Sequence, residues 1–335
     1  MTPATTDVST GAADLVEVWR GDLLECVHRG HAVVCGPDGE VREAWGDPRA
    51  VIYPRSSAKM IQALPLVESG AADAHGLPTD RLALACASHR GAAIHTDRVS
   101  AWLADLGLGD GDLRCGSHMP GDRPAAERLI RAGERPAQVH NNCSGKHAGF
   151  LTLSRHLGGG PEYVDADHPV QRAARAAFEE VTGEASPGWG IDGCSAPNFA
   201  TTVEGLARAM SRFATAGGRG DARSGAQARL VEAMMAHPEL VAGEGQPCTS
   251  LMRAASGQAA VKGGAEGVYV AILPEQGIGL ALKVADGASR ASEALAAALL
   301  ARLGAVGPSD PVLALAEGAQ RNWRGLVTGR IATRL

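Results

Sequence analysis

Four polar side chains in this chain have the types and spacing of a centre for acyl transfer. Ser56 and Lys59 form a Ser-x-x-Lys motif, and residues three apart lie on one helix face, so we expect the Lys59 amine beside the Ser56 hydroxyl. A neutral lysine can take the proton of such a serine and so make it a nucleophile. Ser88 and Lys262 stand in two further polar motifs, and either one alone would be an ordinary turn or strand-end residue.

The three motifs follow one another in an order that serine β-lactamases and penicillin-binding proteins share. Their sequences here are Ser56-Ser57-Ala58-Lys59, Ser88-His89-Arg90-Gly91 and Lys262-Gly263-Gly264. In the shared layout the second motif contains a serine, and the third is a Lys-x-Gly on a sheet edge. Arg90 stands where penicillin-recognising enzymes have an asparagine. This difference argues against penicillin recognition but not against the fold.

The composition is that of a globular protein without a basic footprint for nucleic acid. The 335 residues are 45% apolar and only 4% aromatic, so the core must be built from small aliphatic side chains. A net charge of −5 gives no basic surface for nucleic acid, and no apolar run is long enough for a membrane span. The seven cysteines and the absence of a visible signal peptide predict reduced thiols in the cytoplasm.

The elements that must hold the motifs change in character along the chain. Strand patterns separated by turns fill residues 14–55, and the next pattern predicts a helix that begins at Ser56. Residues 56–255 are mainly helical, whereas residues 256–335 return to strands. We therefore predict an α/β (α+β) fold in which a sheet domain built from both termini holds an inserted, mainly helical domain. Residues 1–13 are predicted to be a disordered tail.

A resemblance to a known family covers nearly the whole chain. The matching runs are Arg55 to Leu66, Cys86 to His89, His140 to Phe150, Gly190 to Asn198, Pro238 to Gly245 and Lys262 to Gly267. Together they resemble the rhizobial-type (class 3, thermolabile) L-asparaginase family. The resemblance implies a serine β-lactamase-like fold, with an antiparallel sheet flanked by helices. It also implies a homodimer that hydrolyses the side-chain amide of L-asparagine to L-aspartate and ammonia.

The same resemblance implies which residues form the site. Two serine–lysine pairs would form the catalytic centre, and three residues would bind a metal ion, usually zinc. The pairs are Ser56 with Lys59 and Ser88 with Lys262, and the metal ligands are Cys143, Lys146 and Cys194. No organic cofactor is implied. From the residues alone, Cys143 and Cys194 could equally be buried thiols, and Lys146 would have to lose its proton to bind a metal.

Elementary chemistry assigns further roles. Ser56 would attack the amide carbonyl with Lys59 as its base, while Ser88 could be either the nucleophile or a proton relay. The oxyanion would lie between the N–H of Ser56 and an N–H near Ala265. Two residues are candidates for the substrate carboxylate and one for its ammonium group: Arg55 and His89 for the former, and Asp192 for the latter.

Two other classes of function remain open from the sequence. The chain could be another serine acyl hydrolase on the same fold, such as a glutaminase, a β-lactamase or an esterase. It could also be a non-catalytic sensor of amino acids or β-lactams that has kept the fold. The presence of all four of Ser56, Lys59, Ser88 and Lys262 argues against the sensor.

Overall fold

The computed structural model describes residues 7–335 and combines one large sheet with many helices. The strands are β1 (Ala13–Arg20), β2 (Leu23–Cys35), β3 (Val41–Trp45), β4 (Val51–Ile52), β5 (Trp189–Ile191), β6 (Pro197–Phe199), β7 (Thr201–Thr202), β8 (Ala260–Gly264), β9 (Val268–Leu273), β10 (Ile278–Val284), β11 (Ala319–Arg321) and β12 (Val327–Thr333). The large sheet has the order β11-β12-β1-β2-β10-β9-β8, and β3 also pairs with β2. All its pairs are antiparallel.

Helices pack on both faces of this sheet and fill the middle of the sequence. They are α1 (Lys59–Gln62), α2 (Leu64–Glu68), α3 (Ala71–Ala74), α4 (Thr79–Ala85), α5 (Ala93–Asp105), α6 (Arg123–Ala132), α7 (Ser144–His156), α8 (Pro169–Thr182), α9 (Val203–Ala214), α10 (Ala222–Ala236), α11 (Pro238–Val241), α12 (Pro247–Ala254) and α13 (Ser289–Arg302). The predicted mixed fold, with an antiparallel sheet flanked by helices, is confirmed. The division into domains at residues 55 and 255 stays a prediction.

The central strands are apolar on both faces because helices cover them on both sides. Every residue of β9 and β10 is buried, between α9 and α13. Gly279 of β10 allows α9 to approach closely, since a Cβ there would lie 2.2 Å from the carbonyl oxygen of Ala207. This packing fixes the sheet, and so fixes β8, which lies at the edge of the sheet opposite β11.

The first motif does not begin a helix at Ser56, as the sequence predicts. Arg55–Ala58 is a 3-10 turn in which Arg55 has φ +53, and α1 starts only at Lys59. A continuous helix is not possible because Pro65 lacks an N–H to donate, so the chain starts a second short helix, α2, at Leu64. The 3-10 turn packs against β8, which brings the first and third motifs together.

The predicted tail lies partly outside the described residues. Residues 1–6 are not described, but residues 7–12 form a turn rather than a disordered segment. The turn is held by backbone hydrogen bonds from Thr10 to Asp7 and from Ala12 to Ser9, and His31 Nε2 lies 2.8 Å from the carbonyl oxygen of Val8. No helix within residues 7–335 is long and apolar enough to cross a membrane.

Candidate active site

Ser88 lies in a loop whose backbone is fixed by two other segments. Helix α4 ends at Ala85, and the N–H of Ser88 then donates to the carbonyl of Val241 at 2.8 Å. The next N–H, of His89, donates to the carbonyl of Asn142 at 3.1 Å. These bonds hold the Ser88 hydroxyl in one place before any ligand is present, which is the preorganisation that a reacting group needs.

Two buried lysines meet at the Ser88 hydroxyl. Lys59 Nζ lies 2.9 Å from Ser88 Oγ, and Lys262 Nζ lies 2.8 Å from the same oxygen. Lys59 is 1% exposed and Lys262 is 2% exposed, so neither amine has access to bulk water. The hydroxyl of one serine is therefore shared by two amines that come from α1 and β8.

The two amines differ in what surrounds them. Lys59 Nζ donates to the carbonyl of Ala87 and lies 3.1 Å from Cys143 Sγ, so with Ser88 Oγ it has three acceptors, as many as an ammonium group has protons. Within residues 7–335, Lys262 Nζ has only the carbonyl of Gly263, at 2.7 Å, as an acceptor besides Ser88 Oγ. A neutral amine at Lys262 would donate to that carbonyl and keep a lone pair for the Ser88 proton.

The electrostatics favour the neutral form of Lys262. Burial and, after it, the positive charge of Lys59 together lower the pKa of Lys262 to about 7. A lysine with this pKa is about half deprotonated at neutral pH. Lys262 can therefore act as a base under conditions in which an ordinary lysine cannot.

The predicted hydrogen bond between Lys59 and Ser56 is absent among the described residues. Lys59 extends into the interior towards Ala87 and Cys143 instead, because those groups accept its protons where water cannot reach. Ser56 is half-buried and faces the same cavity as Ser88 without a side-chain partner in residues 7–335. The structure thus places Ser88, rather than Ser56, at the lysine pair.

The serines lie in a cavity of about 480 Å³ at the edge of the sheet. Ser56, Ser88, His89, Lys262 and Ala265 are among its lining residues. Gly264 forms its wall, and a Cβ there would come within 2.7 Å of the carbonyl oxygen of Pro54 and 3.4 Å of the backbone nitrogen of Ser56. The missing side chain lets β8 approach the backbone that carries Ser56.

Three residues were predicted to bind the charged groups of the substrate, and two of them, Arg55 and Asp192, do not line this cavity. Arg55 Nε donates to Asp192 Oδ1 at 2.8 Å, so the two charges that were assigned to the substrate neutralise each other. Arg55 lines a neighbouring cavity. His89 does line the Ser88 cavity, but burial holds its pKa well below the ordinary value, so it is not a cation at neutral pH.

Three side chains that resemble a metal site come together beside the lysine pair. Lys146 Nζ lies 3.0 Å from Cys194 Sγ, and all three of Cys143, Lys146 and Cys194 are buried. A hydrogen bond from Cys143, followed by the charge of Lys146, lowers the pKa of Cys194 far below its usual value. His147 Nε2 is buried without a hydrogen-bond partner in residues 7–335. The two cysteine sulfurs suit a thiophilic cation such as zinc.

No cluster of three or more His, Cys, Asp or Glu side chains that could bind a metal exists in residues 7–335. The candidate site reaches three donors only when the amine of Lys146 is included. In the structure that amine is an ammonium partner: burial opposes its charge, but the negative charge of Cys194 and the hydrogen bond to Cys194 raise the pKa of Lys146. Zinc would have to displace this proton, as ligand protons are displaced at other metal sites.

Two features of the site were missed by sequence reasoning. The first is that lysine is scarce: of 32 Lys and Arg residues only four are lysines, and all four are buried. They are Lys59, Lys146, Lys262 and Lys283. A simple count of residue types could have drawn attention to Lys283. The second is Glu293, the one carboxyl group that lines the Ser88 cavity in the described chain, which no motif indicates.

A sequence profile of the L-asparaginase II family matches residues 16–333 of this chain. The sequence matches no curated protein.

The fold is similar to several solved structures at low sequence identity. The native form of Mglu is 16% identical with a TM-score of 0.48, over 84% of this chain and 66% of that one. A putative β-lactamase from Bacteroides dorei is 13% identical with a TM-score of 0.41, over 76% of this chain and 84% of that one. A β-lactamase from Mycobacterium bovis is 14% identical with a TM-score of 0.35, over 82% and 94% of the two chains. The chain spans 60–68% of the length of the first three Mglu chains it matches.

Labelled lysine offers a direct test of this electrostatic arrangement. Because the chain has four lysines, protein made with 13C-labelled lysine should give four side-chain signals in an NMR titration. We expect one signal, missing from a Lys262→Met variant, to titrate near pH 7. In a Lys59→Met variant its midpoint should rise, because a neighbouring positive charge has been removed. A Lys262 signal that titrates at the ordinary value of 10.5 would contradict the arrangement.

Proposed function

The chain belongs to the L-asparaginase II family, and on that premise we propose that it hydrolyses the side-chain amide of L-asparagine to L-aspartate and ammonia. The family makes it an amidohydrolase acting on a small molecule. One observation carries the finer proposal. It is the Ser88 hydroxyl, held within hydrogen-bonding distance of two buried lysines of which one has a pKa of about 7.

The reaction begins with proton transfer inside this group. Lys262, as the neutral amine, accepts the hydroxyl proton of Ser88, and Ser88 Oγ forms a bond to the carbonyl carbon of the substrate amide. The proton on Lys262 then passes to the amide nitrogen as the C–N bond breaks. Ammonia leaves, and an aspartyl ester remains on Ser88. Water, deprotonated by the same amine, attacks that ester; the C–O bond to Ser88 breaks, Lys262 returns the proton to Ser88 Oγ, and L-aspartate is released.

Lys59 has a supporting role in this proposal rather than the role of base. As an ammonium group it donates to Ala87, Ser88 and Cys143, so it has no lone pair with which to accept a proton. Its positive charge stabilises the developing alkoxide on Ser88 and favours the neutral form of Lys262. Lys262 is thus the base and Lys59 the stabilising charge, whereas the Ser-x-x-Lys motif alone would make Lys59 the base.

The backbone beside Ser56 is the proposed oxyanion site. The Ser56 N–H lies next to Gly264, where the two segments approach closely, and Ala265 lines the same cavity. Two N–H groups from the 3-10 turn and the end of β8 would stabilise the tetrahedral intermediate. The Ser56 hydroxyl would then contact the bound amide or relay a proton.

The substrate's two charged groups need partners other than Arg55 and Asp192, which already pair with each other. Arg90 is an exposed guanidinium on the wall of the Ser88 cavity, and it is the candidate for the substrate carboxylate. Glu293 is a half-buried carboxyl group of the same cavity without a cationic partner in residues 7–335. Burial raises its pKa, and an ammonium group bound beside it would lower that pKa again, so Glu293 is the candidate for the substrate ammonium.

We propose that the protein binds zinc, because the side chains that meet at this site are suitable zinc ligands. Cys143, Cys194 and a deprotonated Lys146 would hold it, which leaves an open position in a tetrahedral site. When bound, zinc would orient the amino-acid head group of the substrate. We also expect the homodimer that the family resemblance implies. All seven cysteines are free thiols, which is consistent with the predicted location in the reducing cytoplasm.

Ammonia release from L-asparagine and L-glutamine, beside nitrocefin hydrolysis, tests the proposed activity. We expect L-asparagine to be the preferred substrate. A Lys262→Met variant should lose ~10²–10⁴-fold in kcat, because it removes the base and keeps an apolar stem of similar length. Ser88→Ala should abolish turnover, and Ser56→Ala, its matched control in the same cavity, should cause a smaller loss.

Each other outcome of this assay selects a different function. Faster release from L-glutamine would make the protein a glutaminase, and nitrocefin hydrolysis would make it a β-lactamase. Binding of L-asparagine with no release of ammonia would make it a sensor. Full turnover in a folded Lys262→Met variant would overturn the proposed base.

Elemental analysis of protein purified without added metal tests the zinc proposal. We expect bound zinc in the wild type and none in a Cys143→Ser variant. Chelation should raise KM more than it lowers kcat, because the metal would orient the substrate rather than generate the nucleophile. If zinc is absent from both proteins and a chelator leaves full activity, Cys143 and Cys194 are only buried thiols.

A further inference from the structure

Lys283 is the one lysine of the chain that the proposed chemistry does not use. It lies in β10, whose other residues are all apolar or glycine, and it is 8% exposed. Its amine donates to the backbone carbonyl of Glu266 at 2.5 Å. The carboxylates of Glu266 and Asp286 attract that amine, but neither forms an ion pair with it within 4.0 Å in residues 7–335. A buried cation without an anionic partner is costly, and it is uncommon unless something binds it.

The amine of Lys283 faces a cavity of about 530 Å³ that is separate from the Ser88 cavity. The two cavities share no lining residue. Arg55 and Glu266 line the Lys283 cavity. Their sequence neighbours Ser56 and Ala265 line the Ser88 cavity. Two pairs of consecutive residues therefore form the wall between the cavities, so the second cavity adjoins the first without being part of it.

The lining of this second cavity is polar at one end and apolar elsewhere. Lys283, Arg55, the Asn198 amide and the exposed Glu266 carboxylate supply the polar groups. Tyr53 and Ile191 supply apolar surface, and these two side chains are 48% and 76% exposed. Large apolar side chains exposed around a concave polar site are typical of a surface that binds a small molecule.

The two cations at the polar end differ in how closely a carboxylate approaches them. Arg55 is paired with Asp192, and its other contact, Glu266, is 68% exposed and 3.8 Å away. Lys283 has no such close partner in residues 7–335, because Glu266, which lines the cavity, and Asp286 act on its charge only from beyond ion-pair distance. Burial accordingly lowers the pKa of Lys283, and an anion bound there would raise it again. The complementary group is a carboxylate, which an amine and a guanidinium bind with charge-assisted hydrogen bonds.

We propose that this cavity, next to the catalytic one, binds a small monocarboxylate with an apolar body. The carboxylate lies against Lys283 and the free edge of the Arg55 guanidinium, and the apolar body lies against Tyr53 and Ile191. Three observations support this proposal: the buried amine of Lys283, the separate cavity and its apolar rim. The site goes beyond the proposed hydrolysis and does not depend on it.

Phenylacetate is the probe that tests this site, with 2-phenylethanol as a neutral control of similar shape. Calorimetry should show one phenylacetate bound per chain and no binding of 2-phenylethanol. In protein with 13C-labelled lysine, phenylacetate should shift the signal that is missing from Lys283→Met and raise its titration midpoint. A Lys283→Met variant should bind phenylacetate at least ~10-fold more weakly, because a hydrogen bond to a charged group is lost.

Two further variants keep the test decisive. Ile191→Ser, at the exposed rim, should fold normally and weaken phenylacetate binding several-fold through the loss of apolar contact. Ser88→Ala should bind phenylacetate as the wild type does, because Ser88 lines the other cavity. The proposal is overturned if wild-type protein binds no phenylacetate. It is equally overturned if Lys283→Met and Ile191→Ser bind it undiminished, or if Ser88→Ala loses it.

Discussion

Two buried amines that share one hydroxyl impose the constraint on which this site depends. Lys59 and Lys262 both lie within hydrogen-bonding distance of Ser88 Oγ, and neither reaches bulk water. Two ammonium groups this close in a dry environment would repel each other strongly, so one amine must be neutral. The surroundings decide which one. Lys59 has three acceptors for three protons, whereas Lys262 has a pKa of about 7.

The fold must bring the two amines and the hydroxyl together, because they come from distant parts of the chain. Ser88 and Lys262 are 174 positions apart, and the strand that carries Lys262, β8, packs against the 3-10 turn that precedes Lys59. Gly264 permits that contact, since a side chain there would collide with the backbone before Ser56. The edge position of β8 leaves its end open to the cavity, so a substrate can reach the lysine pair.

Sequence alone was sufficient for the family, the mixed fold and the antiparallel sheet, because distinctive runs and strand patterns are local features. It could not place Lys59, whose amine chooses between Ser56 and Ser88 according to acceptors at Ala87 and Cys143. It also could not show that Arg55 and Asp192 pair with each other. Such choices depend on contacts between residues far apart in sequence, and spacing within a motif does not encode them.

The central claim is that Ser88, activated by a neutral Lys262, carries the acyl group. A slow ester or hydroxamate of L-aspartate, quenched with acid during turnover and followed by peptide mass mapping, tests it most directly. The account predicts an aspartyl adduct on the peptide that contains Ser88, and no adduct in a folded Lys262→Met variant. An adduct on Ser56 in wild-type protein, with Ser88 unmodified, would contradict it.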